Sequence, residues 1–460
     1  MLNVQLSSHR DFLPADAAQQ KLFVMLKLRP LKQAATTQPS TAFAFVIDTS
    51  GSMREVVSGD SQPTGEQVTV DGQNYVVTVG GKTKIDIVIE SLLALVRSGC
   101  LEENDRVAIV QFDDNASILV DLTSATQADK LEDAIRQLDT YSGGTQLGLG
   151  MNQTLNVFSS TAMASRRALI FTDGETFDED RCLEVVKEFS ANNIPITALG
   201  IGEYREDLLI DLSDKSGGRL FHIDPRKQDG TAVSVEDLPA TIIEEFSRAQ
   251  KDVVTNLALT TRTVKGVELT RVLRAYPDQA EFSSEGDRYL IGNAAANDET
   301  IFILEFTVDG RPPSRARIAQ IGLTYDVPGQ QHRGELPPQN LVVQFIPDQG
   351  SAVQVDREIM DYMQQCNISS IVGEATRISN SDPEKAQELL DRAHRMTVRI
   401  GNKDLVESLN SAKDELRKTR KLSSDTRKTV KMGSKGKTVK MGGSINDEIS
   451  EEEIRNATGT

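Results

Sequence analysis

The stretch FAFVIDTSGSM, residues 43–53, decides the fold of the segment around it. Five mostly apolar residues run directly into Asp48, and a turn of small and hydroxyl-bearing residues follows. An apolar run of this length that ends at a turn is typical of a buried strand. The carboxylate and hydroxyls behind it need a partner, which can be a metal ion, a phosphate group or the local backbone.

Short apolar runs continue to about residue 225, and segments with helical apolar spacing lie between them. This alternation predicts a doubly wound α/β fold, with a mostly parallel sheet covered by helices on both faces and Ser117–Leu122 as an antiparallel edge strand. The predicted strands are 43–47, 107–112, 168–172, 195–201 and 219–223, and the predicted helices are 85–99, 127–138, 146–158, 179–193, 205–212 and 234–250.

The α/β domain, expected at residues 40–250, interrupts a region of β-type alternation. Strand patterns occupy residues 1–38 and return at residues 252–350, so both parts are expected to form one antiparallel β-sandwich. Residues 54–84 do not fit the α/β rhythm. Asp71-Gly72 separates two alternating runs there, which predicts an inserted β-hairpin.

The C-terminal part predicts helices followed by a tail. Residues 354–420 have helical spacing, with Asp382 as a helix N-cap before Pro383, and should form a helical hairpin or bundle. Residues 421–460 are polar and almost without large apolar side chains. This composition predicts a disordered tail.

The tail carries the hexapeptide Lys-Thr-Val-Lys-Met-Gly twice, at residues 428–433 and 437–442. Nine basic residues and one acidic residue lie between positions 418 and 441. Basic residues before Thr429 and Thr438 suit a Ser/Thr kinase, and the phosphothreonine could dock on a forkhead-associated-domain protein. The alternatives are a solvated linker and an electrostatic arm.

Composition excludes several classes of function. The net charge of −17 argues against specific nucleic-acid binding and against binding to anionic membranes. No run approaches the roughly 18 apolar residues that a membrane span needs, and residues 1–14 lack a signal-peptide pattern. Three widely spaced cysteines are expected to be reduced thiols. These features predict a cytoplasmic protein.

Five oxygen-bearing side chains fall where the predicted sheet would gather them. Asp48 and Asp173 end two predicted strands, Ser50 and Ser52 follow the first, and Thr145 lies in the Gly-rich segment SGGTQLG. The carboxyl ends of the strands of an open α/β sheet meet at one edge. Hard oxygen donors favour Mg²⁺, with Mn²⁺ or Ca²⁺ as alternatives. Helix capping and turn formation are the structural alternatives.

These residues resemble the metal-ion-dependent adhesion site of von Willebrand factor A (VWA) domains, over about residues 40–225. The matching motifs are Asp48-Thr49-Ser50-Gly51-Ser52, Thr145 and Thr172-Asp173-Gly174. The resemblance implies that Ser50, Ser52 and sometimes Thr145 contact the metal directly, that Asp48 and Asp173 act largely through waters, and that the metal recruits a partner's Asp or Glu. The whole chain is similar to bacterial cytoplasmic VWA proteins labelled calcium-activated chloride channel-like, a label that fits poorly with a chain lacking a predicted membrane span.

The expected function is a metal-dependent protein interaction scaffold without enzymatic activity. The alternatives are a partner subunit of a MoxR or chelatase-type AAA+ ATPase and a metal-dependent hydrolase. A haloacid dehalogenase-type phosphatase would need a second acid where Ser50 stands. The four histidines are scattered and give no Ser/His/Asp set: His9, His222, His332 and His394.

Overall fold

A computed structural model describes most of the chain and divides it into two compact units. One unit comprises residues 1–37 with 253–460, and the other comprises Gln38–Asp252. The described residues are 2–15, 17–31, 40–60, 62–70, 73–159, 163, 165–173, 176–202, 204–223, 232–328, 333–347, 353–436, 438, 440 and 446–449.

Strands dominate the first and third quarters of the chain, and helices dominate its C-terminal part. The strands are β1 (Leu2–Ser8), β2 (Phe12–Pro14), β3 (Gln19–Pro30), β4 (Thr41–Asp48), β5 (Val56–Ser58), β6 (Gln62–Val70), β7 (Gln73–Val79), β8 (Lys82–Thr83), β9 (Arg106–Phe112), β10 (Ala116–Ser124), β11 (Ser165–Thr172), β12 (Ile196–Ile201), β13 (Arg219–Ile223), β14 (Asp252–Thr263), β15 (Val267–Tyr276), β16 (Ala280–Phe282), β17 (Ser284–Glu285), β18 (Arg288–Ala295), β19 (Thr300–Asp309), β20 (Ser314–Asp326), β21 (Gly334–Ile346), β22 (Val353–Asp356) and β23 (Asn446–Ile449). The helices are α1 (Lys84–Arg97), α2 (Ala128–Gln137), α3 (Leu147–Ser159), α4 (Glu179–Ala191), α5 (Glu206–Ser216), α6 (Leu238–Gln250), α7 (Arg357–Ile378), α8 (Pro383–Ile400), α9 (Lys403–Thr419) and α10 (Ser424–Lys435).

The unit Gln38–Asp252 is built on a sheet with the strand order β10-β9-β4-β11-β12-β13. All neighbouring strands run parallel except β10, which pairs antiparallel with β9 at the edge. Helices α1, α2 and α6 pack on one face, and α3, α4 and α5 pack on the other. The predicted doubly wound α/β fold is confirmed.

The position of β4 in the sheet explains why its residues 42–47 are apolar without interruption. Successive side chains of a strand point to opposite faces of the sheet, and both faces of this sheet are covered by helices. Every residue of β4 is buried. The strand gives Phe43, Phe45 and Ile47 to one apolar cluster, and it gives Ala42, Ala44 and Val46 to the other.

The segment between β4 and α1 contains two antiparallel strand pairs, β5 with β8 and β6 with β7. The pair β6–β7 is the hairpin that the alternating sequence predicts. Its Asp71-Gly72 turn lies outside the described residues. The inner pair β5–β8 joins Val56 to Thr83, so the insertion leaves and re-enters the α/β domain at adjacent points.

The other unit contains two sheets that enclose an apolar core. Their strand orders are β1-β3-β19-β15-β16 and β17-β18-β14-β20-β21-β2. Strand β3 lies between β1 and β19, so the N-terminal strands complete a sandwich whose remaining strands follow the α/β domain in sequence. Strand β2 pairs parallel with β21, and the antiparallel pairs are β1–β3, β3–β19, β19–β15, β15–β16, β17–β18, β14–β20 and β20–β21.

Helix α7 covers the outer face of the first of these sheets. Its Ile359, Tyr362 and Met363 pack in one apolar cluster with Phe23 and Met25 of β3. Helices α7 to α10 share a second apolar cluster. The predicted cap of α8 is confirmed, because the Asp382 side chain accepts a hydrogen bond from the Lys385 N–H at 3.1 Å.

The prediction of a disordered tail from residue 421 is wrong for its first part. Ser424–Lys435 forms α10. Ser423 caps this helix, because its side chain accepts a hydrogen bond from the Thr426 N–H. Leu422 and Val430 lie in the apolar cluster of the four helices. Composition misled the prediction because α10 adds few apolar side chains to a core that the other helices supply. Residues 450–460 lie outside the described residues.

The structure buries both threonines that the sequence offers to a kinase. Thr429 is 3% exposed and Thr438 is 6% exposed. The Thr438 hydroxyl donates to the Pro277 carbonyl at 3.1 Å, and Lys440 forms an ion pair with Glu299 at 3.1 Å. Phosphorylation of either threonine would require this segment to leave its position. The kinase and the forkhead-associated-domain partner stay predictions.

Two further expectations concern membrane-spanning helices and the cysteines. Among the described residues, no helix is both long enough and apolar enough to cross a membrane. Cys100, Cys182 and Cys366 are free thiols, as their spacing predicts. The cytoplasmic location stays a prediction.

Replacing Leu422 by Ala tests whether the start of the former tail belongs to the helical core. Leu422 is buried, so the variant should lose roughly 2–5 kcal/mol of unfolding free energy in urea denaturation. Val398 on α8 is 53% exposed, and Val398→Ala should change it by less than about 0.5 kcal/mol. Equal effects of the two substitutions would contradict the packing of Leu422.

Candidate metal centre

Asp48 ends the central strand β4 with its side chain fully buried. One carboxylate oxygen, Oδ1, accepts a hydrogen bond from the Ser50 N–H at 2.9 Å. The other, Oδ2, accepts one from the Thr172 hydroxyl at 2.6 Å. Thr172 ends β11, the parallel neighbour of β4, so Asp48 joins the carboxyl ends of the two strands between which the strand order reverses.

Ser50 and Ser52 turn their hydroxyls toward the end of β11. A short 3₁₀ helix, Gly51–Arg54, follows Ser50 and brings the two side chains to the same side. Their Oγ atoms are 3.1 Å apart, and Ser52 Oγ donates to Asp173 Oδ1 at 2.8 Å. The structure therefore places Ser52 against the second aspartate of the motif, with the Ser50 hydroxyl beside that of Ser52.

Thr145 lies in a Gly-rich loop that is hydrogen-bonded to the turn carrying Ser50 and Ser52. The Gly51 N–H donates to the Gly143 carbonyl at 2.9 Å, which fastens the Gly-rich loop to the serine turn. The Thr145 carbonyl accepts a hydrogen bond from the Phe177 N–H at 2.9 Å. No hydrogen bond among the described residues joins the Thr145 hydroxyl to the two aspartates. Thr145 thus stands beside the group formed by the other four predicted site residues.

The Gly-Gly pair before Thr145 is explained by close contacts. A Cβ atom on Gly144 would lie 2.5 Å from Asp114 Oδ1 and 3.2 Å from the Phe177 ring. A Cβ atom on Gly143 would lie 2.9 Å from Asp114 Oδ2. A larger residue at either position would require the exposed Asp114 side chain to move.

Lys84 is a member of the site that sequence reasoning missed. Its ammonium contacts Asp173 Oδ2 at 2.7 Å and Glu55 Oε2 at 2.6 Å, and the Lys84 side chain is 5% exposed. Lys84 is the first residue of α1, where the helix dipole disfavours a cation. A lysine in the first turn of an apolar helix is unfavourable unless a carboxylate lies nearby, and this was the signal in the sequence that could have indicated one.

The electrostatics of the site follow from its burial. Burial and the neighbouring Asp173 carboxylate raise the pKa of Asp48 to about 7. Burial also raises the pKa of Asp173, although Lys84 and Ser52 act in the opposite direction. Burial acts to lower the pKa of Lys84, but the Asp173 and Glu55 carboxylates outweigh it, so this pKa is raised. Two buried carboxylates with one ammonium leave the site short of positive charge.

The oxygen spacings fit a small divalent cation. Two ligands at adjacent corners of a Mg²⁺ octahedron, each about 2.1 Å from the ion, lie about 3 Å apart. The hydrogen-bonded separations of Ser52 Oγ from Ser50 Oγ and from Asp173 Oδ1, 3.1 and 2.8 Å, are compatible with that spacing. Among the described residues, no cluster of three or more His, Cys, Asp or Glu side chains suits a metal. Hydroxyl and carboxylate oxygens favour Mg²⁺ or Mn²⁺ over zinc.

Two family models match the chain. Residues 43–234 match the von Willebrand factor type A domain, and residues 357–440 match the Sll0103-like, C-terminal alpha-helical domain. Residues 43–234 therefore form a VWA domain. Domains of this family typically mediate metal-dependent protein–protein interaction.

Two bacterial relatives share this sequence at low identity. The uncharacterized protein sll0103 of Synechocystis sp. is 24% identical over 352 residues, which cover 73% of this chain and 80% of that protein. The uncharacterized protein YfbK of Escherichia coli is 24% identical over 223 residues, which cover 46% of this chain and 34% of YfbK. The match therefore spans about a third of the YfbK chain.

Two solved structures share the fold across nearly the whole chain. The von Willebrand factor type A protein from Catenulispora acidiphila superposes with a TM-score of 0.74 at 17% identity, covering 95% of this chain and 97% of that one. The ArnB paralog VWA2 from Sulfolobus acidocaldarius superposes with a TM-score of 0.58 at 15% identity, covering 94% and 97%. At these identities the likeness concerns the fold alone.

The raised pKa of Asp48 predicts a pH-dependent metal affinity. Below pH 7 a bound proton competes with the cation, so the Mg²⁺ dissociation constant measured by calorimetry should be about tenfold larger at pH 6 than at pH 8. Asp48→Asn removes this titration, and its weaker affinity should vary less with pH. A constant wild-type affinity between pH 6 and 8 would contradict the buried, protonatable carboxylate.

Proposed function

We propose that the VWA domain binds a partner protein by holding a divalent ion, Mg²⁺ in the first instance, against which an Asp or Glu of the partner docks. The observation that carries this proposal is the grouping of three side-chain oxygens, in which Ser52 Oγ lies 3.1 Å from Ser50 Oγ and 2.8 Å from Asp173 Oδ1, hydrogen-bond distances that adjacent ligands of one small ion also adopt. Asp48 holds the serine turn through the Ser50 N–H. Thr145 is proposed to complete the oxygen set from the neighbouring loop.

The charge of the buried groups supports an acidic ligand. With both aspartates ionised, the three buried groups Asp48, Asp173 and Lys84 carry a net charge of −1, and Glu55, which also contacts Lys84, is more than half exposed to solvent. A bound divalent ion supplies an electrophilic centre and changes the net charge of this group from −1 to +1. One carboxylate from outside would neutralise it, and the burial of the site makes that compensation strong.

An exposed aromatic ring beside the site supports an apolar contact next to the acidic residue. Phe177 is 75% exposed, although its N–H is bonded to the Thr145 carbonyl. Because this hydrogen bond already fixes the Phe177 backbone, a partner that packs on the ring would cost little backbone entropy. The partner residue adjacent to the carboxylate is therefore proposed to be apolar.

The inserted strands β5 to β8 support a recognition surface that extends beyond the metal. The insertion begins after Glu55 and ends before Lys84, and the Lys84 N–H donates to the Glu55 carbonyl at 3.1 Å. Both ends of the insertion are thus fixed beside the serine turn. We propose that the partner contacts this hairpin as well as the metal.

The hydrogen bonds at the site favour an interaction module over a hydrolase. A hydrolase would need a general base within hydrogen-bond reach of the attacking water. In the described structure, the two carboxylates are occupied by Ser50, Ser52, Thr172 and Lys84, and no histidine is among their partners. An AAA+ ATPase would be one kind of protein partner for this site.

A comparison of retained proteins in Mg²⁺ and in EDTA tests the proposal. The full chain is immobilised, exposed to lysate of its source cells and analysed by mass spectrometry. A protein retained by the wild type only with Mg²⁺ should be lost with Ser52→Ala, since that substitution removes one proposed ligand and leaves both contacts of Asp48 intact.

Ser98→Ala is the matched control for this experiment. Ser98 follows the last residue of α1, at the end of the helix opposite Lys84, about 21 Å along the axis at 1.5 Å per residue. Ser98→Ala should retain the same protein as the wild type. Identical protein sets with Mg²⁺, with EDTA and with Ser52→Ala would refute metal-dependent partner binding.

A further inference from the structure

Lys84 holds a buried charge at the edge of the proposed metal site. Its side chain is 5% exposed, and the Asp173 side chain that it contacts has no exposed surface. A buried ammonium is tolerated only when carboxylates compensate it. Asp173 and Glu55 do so at 2.7 and 2.6 Å.

Asp173 is shared between this ammonium and the serine turn. Its Oδ1 atom accepts from Ser52, whereas its Oδ2 atom accepts from Lys84. A cation bound at Ser50 and Ser52 would draw on the same carboxylate that now neutralises Lys84. The two positive charges therefore compete for Asp173.

The backbone keeps Lys84 from turning away. Thr83 caps α1 and forms a capping box with Asp86. The Lys84 N–H is bonded to the Glu55 carbonyl, and the Glu55 carboxylate contacts the ammonium from the solvent side. The lysine is thus fixed at both its backbone and its charged end.

We propose that Lys84 is a built-in counter-ion that compensates Asp173 when no metal is bound and thereby weakens the binding of a divalent cation on its own. This inference rests on the proposed metal-dependent function. Lys84 thereby makes metal binding and partner binding cooperative. The partner carboxylate restores the negative charge near the metal that Lys84 has neutralised on Asp173. Lys84 is therefore proposed to set the affinity of the site for the divalent cation without binding the cation itself.

Calorimetric titration of the full chain with MgCl₂ at pH 8 tests the role of Lys84. Lys84→Met should bind Mg²⁺ at least about tenfold more tightly than the wild type, because a like charge close to the cation is removed. Lys82→Met is the matched control, since Lys82 is two residues away and pairs at the surface with Glu90. It should change the dissociation constant by less than about twofold, because exposed charges are screened.

A second pair of variants tests the same claim without removing the buried lysine. Glu55→Gln removes the solvent-side partner of Lys84 and should weaken Mg²⁺ binding, whereas Glu90→Gln, the partner of Lys82, should not. In EDTA, Lys84→Met should melt at a lower temperature than the wild type, because Asp173 loses its counter-ion. Mg²⁺ should raise its melting temperature by more than it raises that of the wild type.

The outcomes separate this inference from the proposal on which it rests. Tighter binding by Lys84→Met, including binding where the wild type shows none, supports the counter-ion role. Equal or weaker binding by Lys84→Met than by the wild type overturns that role and leaves the metal site standing. An absence of Mg²⁺ binding by every variant at millimolar concentration refutes the metal site itself, and the inference with it.

Discussion

A carboxylate with no exposed surface, at the end of a central strand, is the constraint on which the rest of the site depends. Ionised Asp48 in this position needs hydrogen bonds and positive charge close by. The fold supplies a backbone N–H from Ser50 and a hydroxyl from Thr172. Neither contact brings a full positive charge. The edge of the sheet is therefore a place where a cation lowers the electrostatic free energy of the folded chain.

The inserted strands β5 to β8 begin and end at this same edge of the sheet. The insertion starts after the serine turn and returns at α1, and the contacts of Lys84 with Glu55 hold its two ends together. A loop of this length is tolerated when its ends are fixed close together, because the entropy of closing a loop grows slowly with its length. The chain can therefore carry an added surface beside the site without disturbing the serine turn.

Sequence patterns predicted the α/β fold and the grouping of Asp48 and Asp173 at one edge of its sheet, because both follow from the spacing of apolar residues and from where the strands end. The run of apolar residues in β4 reflects burial on both faces, and Asp48 and Asp173 lie at strand ends where the topology brings them together. Lys84 was missed because its significance depends on Asp173, which is distant in sequence. A lysine near a helix start has many solvated uses, and only the packed structure shows its side chain to be buried.

Helix α10 was missed for a related reason. Its segment is rich in lysine and poor in apolar residues, which is the composition of a disordered chain. Val430 nevertheless finds a complementary cluster on α7, α8 and α9, so tertiary packing outweighs the local composition. The repeated hexapeptide therefore appears twice in sequence but in two settings, since residues 428–433 are helical and the described Thr438 and Lys440 lie outside helices.

Diffraction from crystals of the full chain grown with Mn²⁺, recorded at a wavelength where manganese scatters anomalously, tests the central claim most directly. The account predicts one anomalous peak within about 2.3 Å of the Ser50 and Ser52 hydroxyl oxygens, close to Asp173, with an octahedral arrangement of oxygens around it. Crystals in which this edge shows no peak while manganese binds elsewhere on the chain, or nowhere, would contradict it.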